Sequence, residues 1–118
     1  MAKILIVDDE KMICEEFCEI LQEEGHAADY VLSGKEALEK IQEKAYDIIF
    51  LDVLMPRMEG REVFERIKKI SQTPVAIMSG YMPPNKEREV LALGAIACLK
   101  KPLELARIKS LLASVEKK

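Results

Sequence analysis

Short apolar runs alternate along this chain with segments whose apolar residues recur every three or four positions. Lys3 to Val7 is a run of Ile, Leu and Val, the pattern of a strand buried on both faces. Ile13, Phe17, Ile20 and Leu21 then follow at helical spacing, and Gly25 is a stop signal. Ala27 to Val31 reads as a weaker strand. Ser33 to Glu36 has the Ser-x-x-Glu spacing of a capping box and opens a helix with Ala37, Leu38 and Ile41 inward. Asp47 to Leu51 is a second strong strand, and Val63, Phe64, Ile67 and Ile70 mark a third helix. Val75 to Met78 is a strand after Pro74. Pro83 and Pro84 fit the first turn of a fourth helix that runs to Leu93 and stops at Gly94. Ile96 to Leu99 is the last strand, and Leu105, Ile108, Leu111, Leu112 and Val115 lie along the last helix.

Five strand–helix units in this order predict an α/β fold with a parallel sheet covered on both faces. Right-handed crossovers leave few arrangements. The expected one is a flavodoxin-like, doubly wound five-stranded sheet of order 2-1-3-4-5 with five helices, one domain over residues 1–118. Such a sheet has a crevice beyond the carboxyl ends of strands 1 and 3.

Composition narrows the function classes. A net charge of -3 and a pI near 5.3 give no basic surface for direct nucleic-acid binding. No apolar run has the length of a membrane span, and the N-terminus lacks the layout of a secretory signal. Cys14, Cys18 and Cys98 form no disulfide framework and read as reduced thiols in a cytoplasmic protein. Cys14 and Cys18 read as packing residues rather than a metal or redox pair, and His26, in a turn, as solvated. Glu15, Glu16 and Glu19 read as a solvated helix face.

Chemistry collects at the strand ends. Strand 1 ends in Asp8 and Asp9, strand 3 in Asp52, strand 4 in Ser79, and strand 5 in Lys100, Lys101 and Pro102. A single solvated Asp at a strand end is unremarkable; three Asp, a hydroxyl and a Lys on four strand ends are not. Three carboxylates this close repel, and a cation resolves the conflict. All the donors are hard oxygens, which points to Mg²⁺; with one histidine and no thiol nearby, zinc is disfavoured. A carboxylate can attack phosphorus and form an acyl phosphate, while a metal and an ammonium neutralise the transferring group and a hydroxyl donates to it. Asp52, alone at the central strand end, is the best nucleophile, with Asp8 and Asp9 on the metal.

These residues resemble the receiver domain of two-component response regulators, of the chemotaxis-regulator-like single-domain kind. The segments Ile4–Glu10, Leu51–Gly60, Met78–Gly80 and Lys101–Pro102 carry the resemblance, which spans essentially the whole chain. It implies that Asp52 is the phosphoacceptor, Asp9 binds Mg²⁺ directly, Asp8 does so largely through water, and the Leu54 backbone carbonyl is a further ligand. It also implies that Ser79 and Lys101 contact the phosphoryl group and that the Lys101–Pro102 peptide is cis, a form that proline tolerates. The implied donor is a sensor histidine kinase or a histidine phosphotransfer protein. The implied output is a switched surface for an unknown downstream protein, with no external substrate turned over, no direct nucleic acid and no membrane. An alternative is the receiver part of a larger DNA-binding regulator or hybrid kinase, although the sequence given holds little beyond the last helix.

One position departs from the family pattern, and two that vary within it bear on lifetime. Cys98 stands where relatives carry an aromatic residue that swings inward, and is too small to fill the same space. By the resemblance, Leu54 and Tyr81 flank the path of hydrolytic water, and their bulk and lack of a carboxylate or amide predict a long-lived phosphorylated state. An aspartyl phosphatase would need an acid at position 54, and a flavodoxin would need a Ser/Thr/Gly-rich cradle where Asp8-Asp9-Glu10 stand. Both are disfavoured.

Overall fold

A computed structural model describes residues 2–53, 60–81 and 83–116. The strands are β1 (Lys3–Val7), β2 (Ala27–Val31), β3 (Ile48–Asp52), β4 (Val75–Ser79) and β5 (Ala97–Lys100). The helices are α1 (Lys11–Glu23), α2 (Gly34–Glu43), α3 (Gly60–Ile70), α4 (Pro84–Ala92) and α5 (Leu105–Glu116). All strand pairings are parallel, in the order β2-β1-β3-β4-β5, as the alternation predicts.

Period-2 alternation divides the central strands between two cores. Ile4, Ile6, Ile48, Phe50 and Met78 face the layer formed by Phe17 and Leu21 of α1 and Ile108 and Leu112 of α5. Leu5, Val7, Ile49, Leu51 and Ile77 face Ala37 of α2, Val63, Phe64 and Ile67 of α3, and Val90 of α4. Every residue of β3 and β4 is buried, whereas β2 at the sheet edge is mostly half-buried. That difference explains why β2 gave the weaker strand signal.

Helix ends follow the expected local rules. Ser33 Oγ accepts a hydrogen bond from the Glu36 amide at 3.2 Å, and the Glu36 carboxylate reaches back to the Ser33 hydroxyl and the Leu32 amide. Past α1 and α4, Gly25 (φ 90°) and Gly94 (φ 114°) take the left-handed conformation. The His26 amide then bonds to the Leu21 carbonyl and the Ala95 amide to the Val90 carbonyl, using carbonyls the helices leave open.

Three expectations shift. β3, β4 and β5 end one residue later than their apolar runs, because the ladder continues through the pairs Asp52–Met78 and Ser79–Lys100. Asp47 precedes β3 and instead accepts the Lys3 amide at 2.7 Å through its carboxylate. His26 is half-buried rather than solvated, and its Nδ1 accepts the Ala2 amide at 2.9 Å.

Candidate functional site

Among the described residues the buried polar or charged side chains are Asp8, Asp52 and Ser79. All three stand at the carboxyl edge of the sheet. Burying a carboxylate is costly unless it is paired and hydrogen-bonded, so their neighbours matter.

Asp8 leaves β1 with its amide bonded to the Val31 carbonyl at 3.2 Å. Its Oδ1 accepts the Glu10 amide at 3.0 Å, a local turn that aims the next acids outward. The buried Cys14 thiol donates to the Asp8 carbonyl at 3.5 Å and ties the turn to α1. Asp52 is held as the last residue of β3. Lys101, in the connection after β5, brings its Nζ to 2.6 Å from Asp8 Oδ2 and 2.9 Å from Asp52 Oδ2. One ammonium therefore bridges two carboxylates that are 44 residues apart in sequence. Burial works against the charged lysine, but the hydrogen bonds and negative charges of Asp8 and Asp52 outweigh it and hold the Lys101 pKa above the usual lysine value. The Lys101–Pro102 peptide is cis, as the resemblance implied.

Ser79 closes β4. Its hydroxyl donates to the Tyr81 carbonyl at 2.6 Å and accepts the Tyr81 amide at 3.2 Å, so it is engaged in its own turn. Tyr81 is itself 72% exposed. A cavity of about 170 Å³ lies behind Ser79, lined by Ile77, Cys98, Leu99 and Arg107 among others. Cys98 is half-buried at its wall, and burial pushes its thiol up to about 11. The same cause pushes Cys14 to about 12 and Cys18 to about 11, which fits packing residues rather than reactive thiols.

Asp8, Asp9 and Glu10 each offer a carboxylate oxygen within 4.8 Å of the others. Glu10 went unremarked as a ligand candidate in the sequence, where its only signal is adjacency to two acids. Asp52 joins this group through its shared partner Lys101. The donor set is all oxygen, which suits Mg²⁺. The Leu54 carbonyl, expected as a further ligand, lies outside the described residues.

A 2-1-3-4-5 parallel sheet with paired buried carboxylates at its carboxyl edge defines a flavodoxin-like, doubly wound α/β domain. The chain belongs to the response regulator receiver domain family, whose model matches residues 4–113; it is a receiver domain of two-component signal transduction. It is 36% identical over 116 residues to the transcriptional regulatory protein CpxR homolog of Haemophilus influenzae, covering 95% of this chain and 51% of that protein. The chain spans about half the length of the transcriptional regulators at the head of its relatives. Among solved structures it is similar to the chemotaxis protein CheY4 of Vibrio cholerae (TM-score 0.89, 34% identity, 98% of both chains). It is also similar to the response regulator TrrA of Thermotoga maritima in complex with Mg²⁺-BeF (TM-score 0.85, 31% identity, 98% of this chain and 99% of that one).

Proposed function

We propose that residues 1–118 form a receiver whose Asp52 accepts a phosphoryl group from a sensor histidine kinase or histidine phosphotransfer protein, with Mg²⁺ held by Asp8, Asp9, Asp52 and the Leu54 carbonyl. The observation that carries this reading is the single ammonium of Lys101 shared by two buried carboxylates at the switch point of the sheet. Structural strand ends have no use for such a burial of charge. The Mg²⁺ complex of TrrA supports the choice of metal. When bound, Mg²⁺ would neutralise charge on the transferring group.

The chain's own residues divide the remaining work. Asp52 supplies the attacking carboxylate oxygen. Lys101 stands within reach of that oxygen and pairs with the incoming phosphoryl oxygens. Ser79 donates its hydroxyl to the same group once it leaves the Tyr81 carbonyl. The domain catalyses its own phosphotransfer and slow dephosphorylation, acts in the cytoplasm, and presents a changed surface to a downstream protein. None of these steps calls for nucleic acid or membrane contact; among the described residues no helix is long and apolar enough to cross a membrane.

A second reading has its own support. The relatives' greater length favours a receiver that, in its native setting, is joined to an effector such as a DNA-binding domain or a hybrid kinase.

Phosphotransfer profiling tests the main reading. The domain is presented to purified histidine kinases with Mg²⁺, and the Asp52→Asn variant runs beside it. Wild type should gain an acid-stable, base-labile phosphate and the folded variant should gain none. Full labelling of the variant by mass spectrometry would falsify the assignment.

A further inference from the structure

Ile77, Cys98 and Leu99 line the inner part of the cavity of about 170 Å³ behind Ser79. Ile77 and Leu99 are buried, and the Ser79 hydroxyl is committed to the Tyr81 carbonyl and amide. These walls therefore offer hydrocarbon, sulfur and no free hydroxyl. An apolar cavity of about 150 Å³ already takes up a benzene-sized group. The mouth differs in character. Glu87 comes to it from α4, Lys100 from the end of β5, Glu104 from just before α5 and Arg107 from the first turn of α5. Among the described residues none of these four side chains makes an ion pair. Burial is the main cause that pushes the Cys98 thiol up to about 11; the Glu87 charge adds to the rise and the Arg107 charge opposes it. An acid and a base thus face one wall residue from two different helices without pairing with each other.

We propose that this cavity binds a free α-amino acid with a large apolar side chain, which rests on Ile77, Cys98 and Leu99 while its ammonium meets Glu87 and its carboxylate meets Arg107. Size and charge together select this class. The volume suits one large side chain and is well below the roughly 300–1,000 Å³ of pockets for drug-sized ligands. Two acids and two bases cancel, so the mouth favours neither a simple cation nor a simple anion. A free amino acid carries both charges directly beside its side chain, and it can answer Glu87 and Arg107 at once. A residue inside a partner's chain carries neither charge at its backbone and would leave both groups unanswered. Apolar burial supplies most of the affinity, because charges at an exposed mouth are screened. Binding here does not depend on phosphoryl transfer at Asp52.

Titration of the ¹⁵N-labelled full chain with L-phenylalanine, followed through its amide signals, tests the site. Ile77, Cys98 and Leu99 should shift together and saturate in the millimolar range. Cys98→Phe places a ring in the cavity and should abolish the response. Arg107→Ala should weaken binding by about threefold, and N-acetyl-L-phenylalanine amide, which lacks both charges, should bind wild type about tenfold more weakly. Absence of saturable shifts in wild type overturns the proposal, as does unchanged binding by folded Cys98→Phe. Equal binding of the capped compound, or no effect of Arg107→Ala, overturns the choice of a free amino acid and favours an apolar residue of a partner protein. Should Cys98→Phe fail to fold, nuclear Overhauser contacts in wild type decide the location: ring protons of the ligand should reach the Leu99 methyls, and their absence at saturation overturns the proposal.

Discussion

Position 81 shows how a side chain's chemistry and its placement make separate contributions. By type, Tyr81 is bulky enough to crowd water approaching an acyl phosphate on Asp52. By placement its side chain is largely exposed, while its backbone does the local work of holding the Ser79 hydroxyl. The expectation that side-chain bulk controls the lifetime is therefore tested most directly at position 54. Positioning of water is a large share of phosphoryl-transfer catalysis, so an amide at position 54 should accelerate hydrolysis. Leu54→Asn should shorten the phosphorylated lifetime by about threefold or more, whereas Tyr81→Ala should change it by less than about twofold. Decay of radiolabelled protein at saturating Mg²⁺ measures both. A large effect of Tyr81→Ala with none from Leu54→Asn would reverse the assignment.

At the scale of elements, the edge strand β2 needs an anchor that the buried strands do not. Asp29 supplies it: its Oδ2 accepts from Lys44 Nζ at 2.8 Å and from Tyr46 Oη at 2.7 Å, pinning the segment before β3 to the sheet edge. The Lys44 hydrogen bond, joined by that of Tyr46, outweighs burial and holds the Asp29 carboxyl below its usual range. Burial and the Asp29 contact push the Tyr46 phenol the other way, upward. A carboxylate whose pKa is depressed on folding stabilises above its unfolded value, and that contribution fades as pH falls through the folded value. The pair is substantially exposed (52% for Lys44, 36% for Asp29), so screening keeps the effect to about 0.5–1 kcal/mol. Urea denaturation should show Asp29→Asn less stable than wild type by this amount at pH 7, and equal to it near pH 2. A difference that persists undiminished in acid would mean that charge is not its source.

Across the whole molecule, Phe50 joins the sheet to the helical layer of α1. It is fully buried in β3, and its ring meets Phe17 edge-to-face with centroids 5.1 Å apart at 64°. Phe50→Ala removes this contact and leaves a cavity beneath Asp52, at a cost of about 3–5 kcal/mol. Domains of this size are stable by only about 5–15 kcal/mol, so the variant should lose a large part of its stability. Chemical denaturation measures it; a loss under about 1 kcal/mol would show that the site rests on other supports.

The sequence by itself determined the order of elements, the sheet topology and the strand ends from which Asp8, Asp9, Asp52, Ser79 and Lys101 project. Periodicity, capping residues and crossover handedness are local or generic rules, and they need no knowledge of distant contacts. The tertiary structure alone decided who pairs with whom. Lys101 finds Asp8 across 93 intervening steps of chain, and no local pattern encodes that distance of 2.6 Å. It also decided that His26 is used as a hydrogen-bond acceptor, that Tyr81 is largely exposed, and that the ladder carries Asp52 and Ser79 inside the strands. The physical reason is the same in each case. Residue type fixes what a group can do, but burial and the partners it meets fix what it does, and both are set only when the layers close over the sheet.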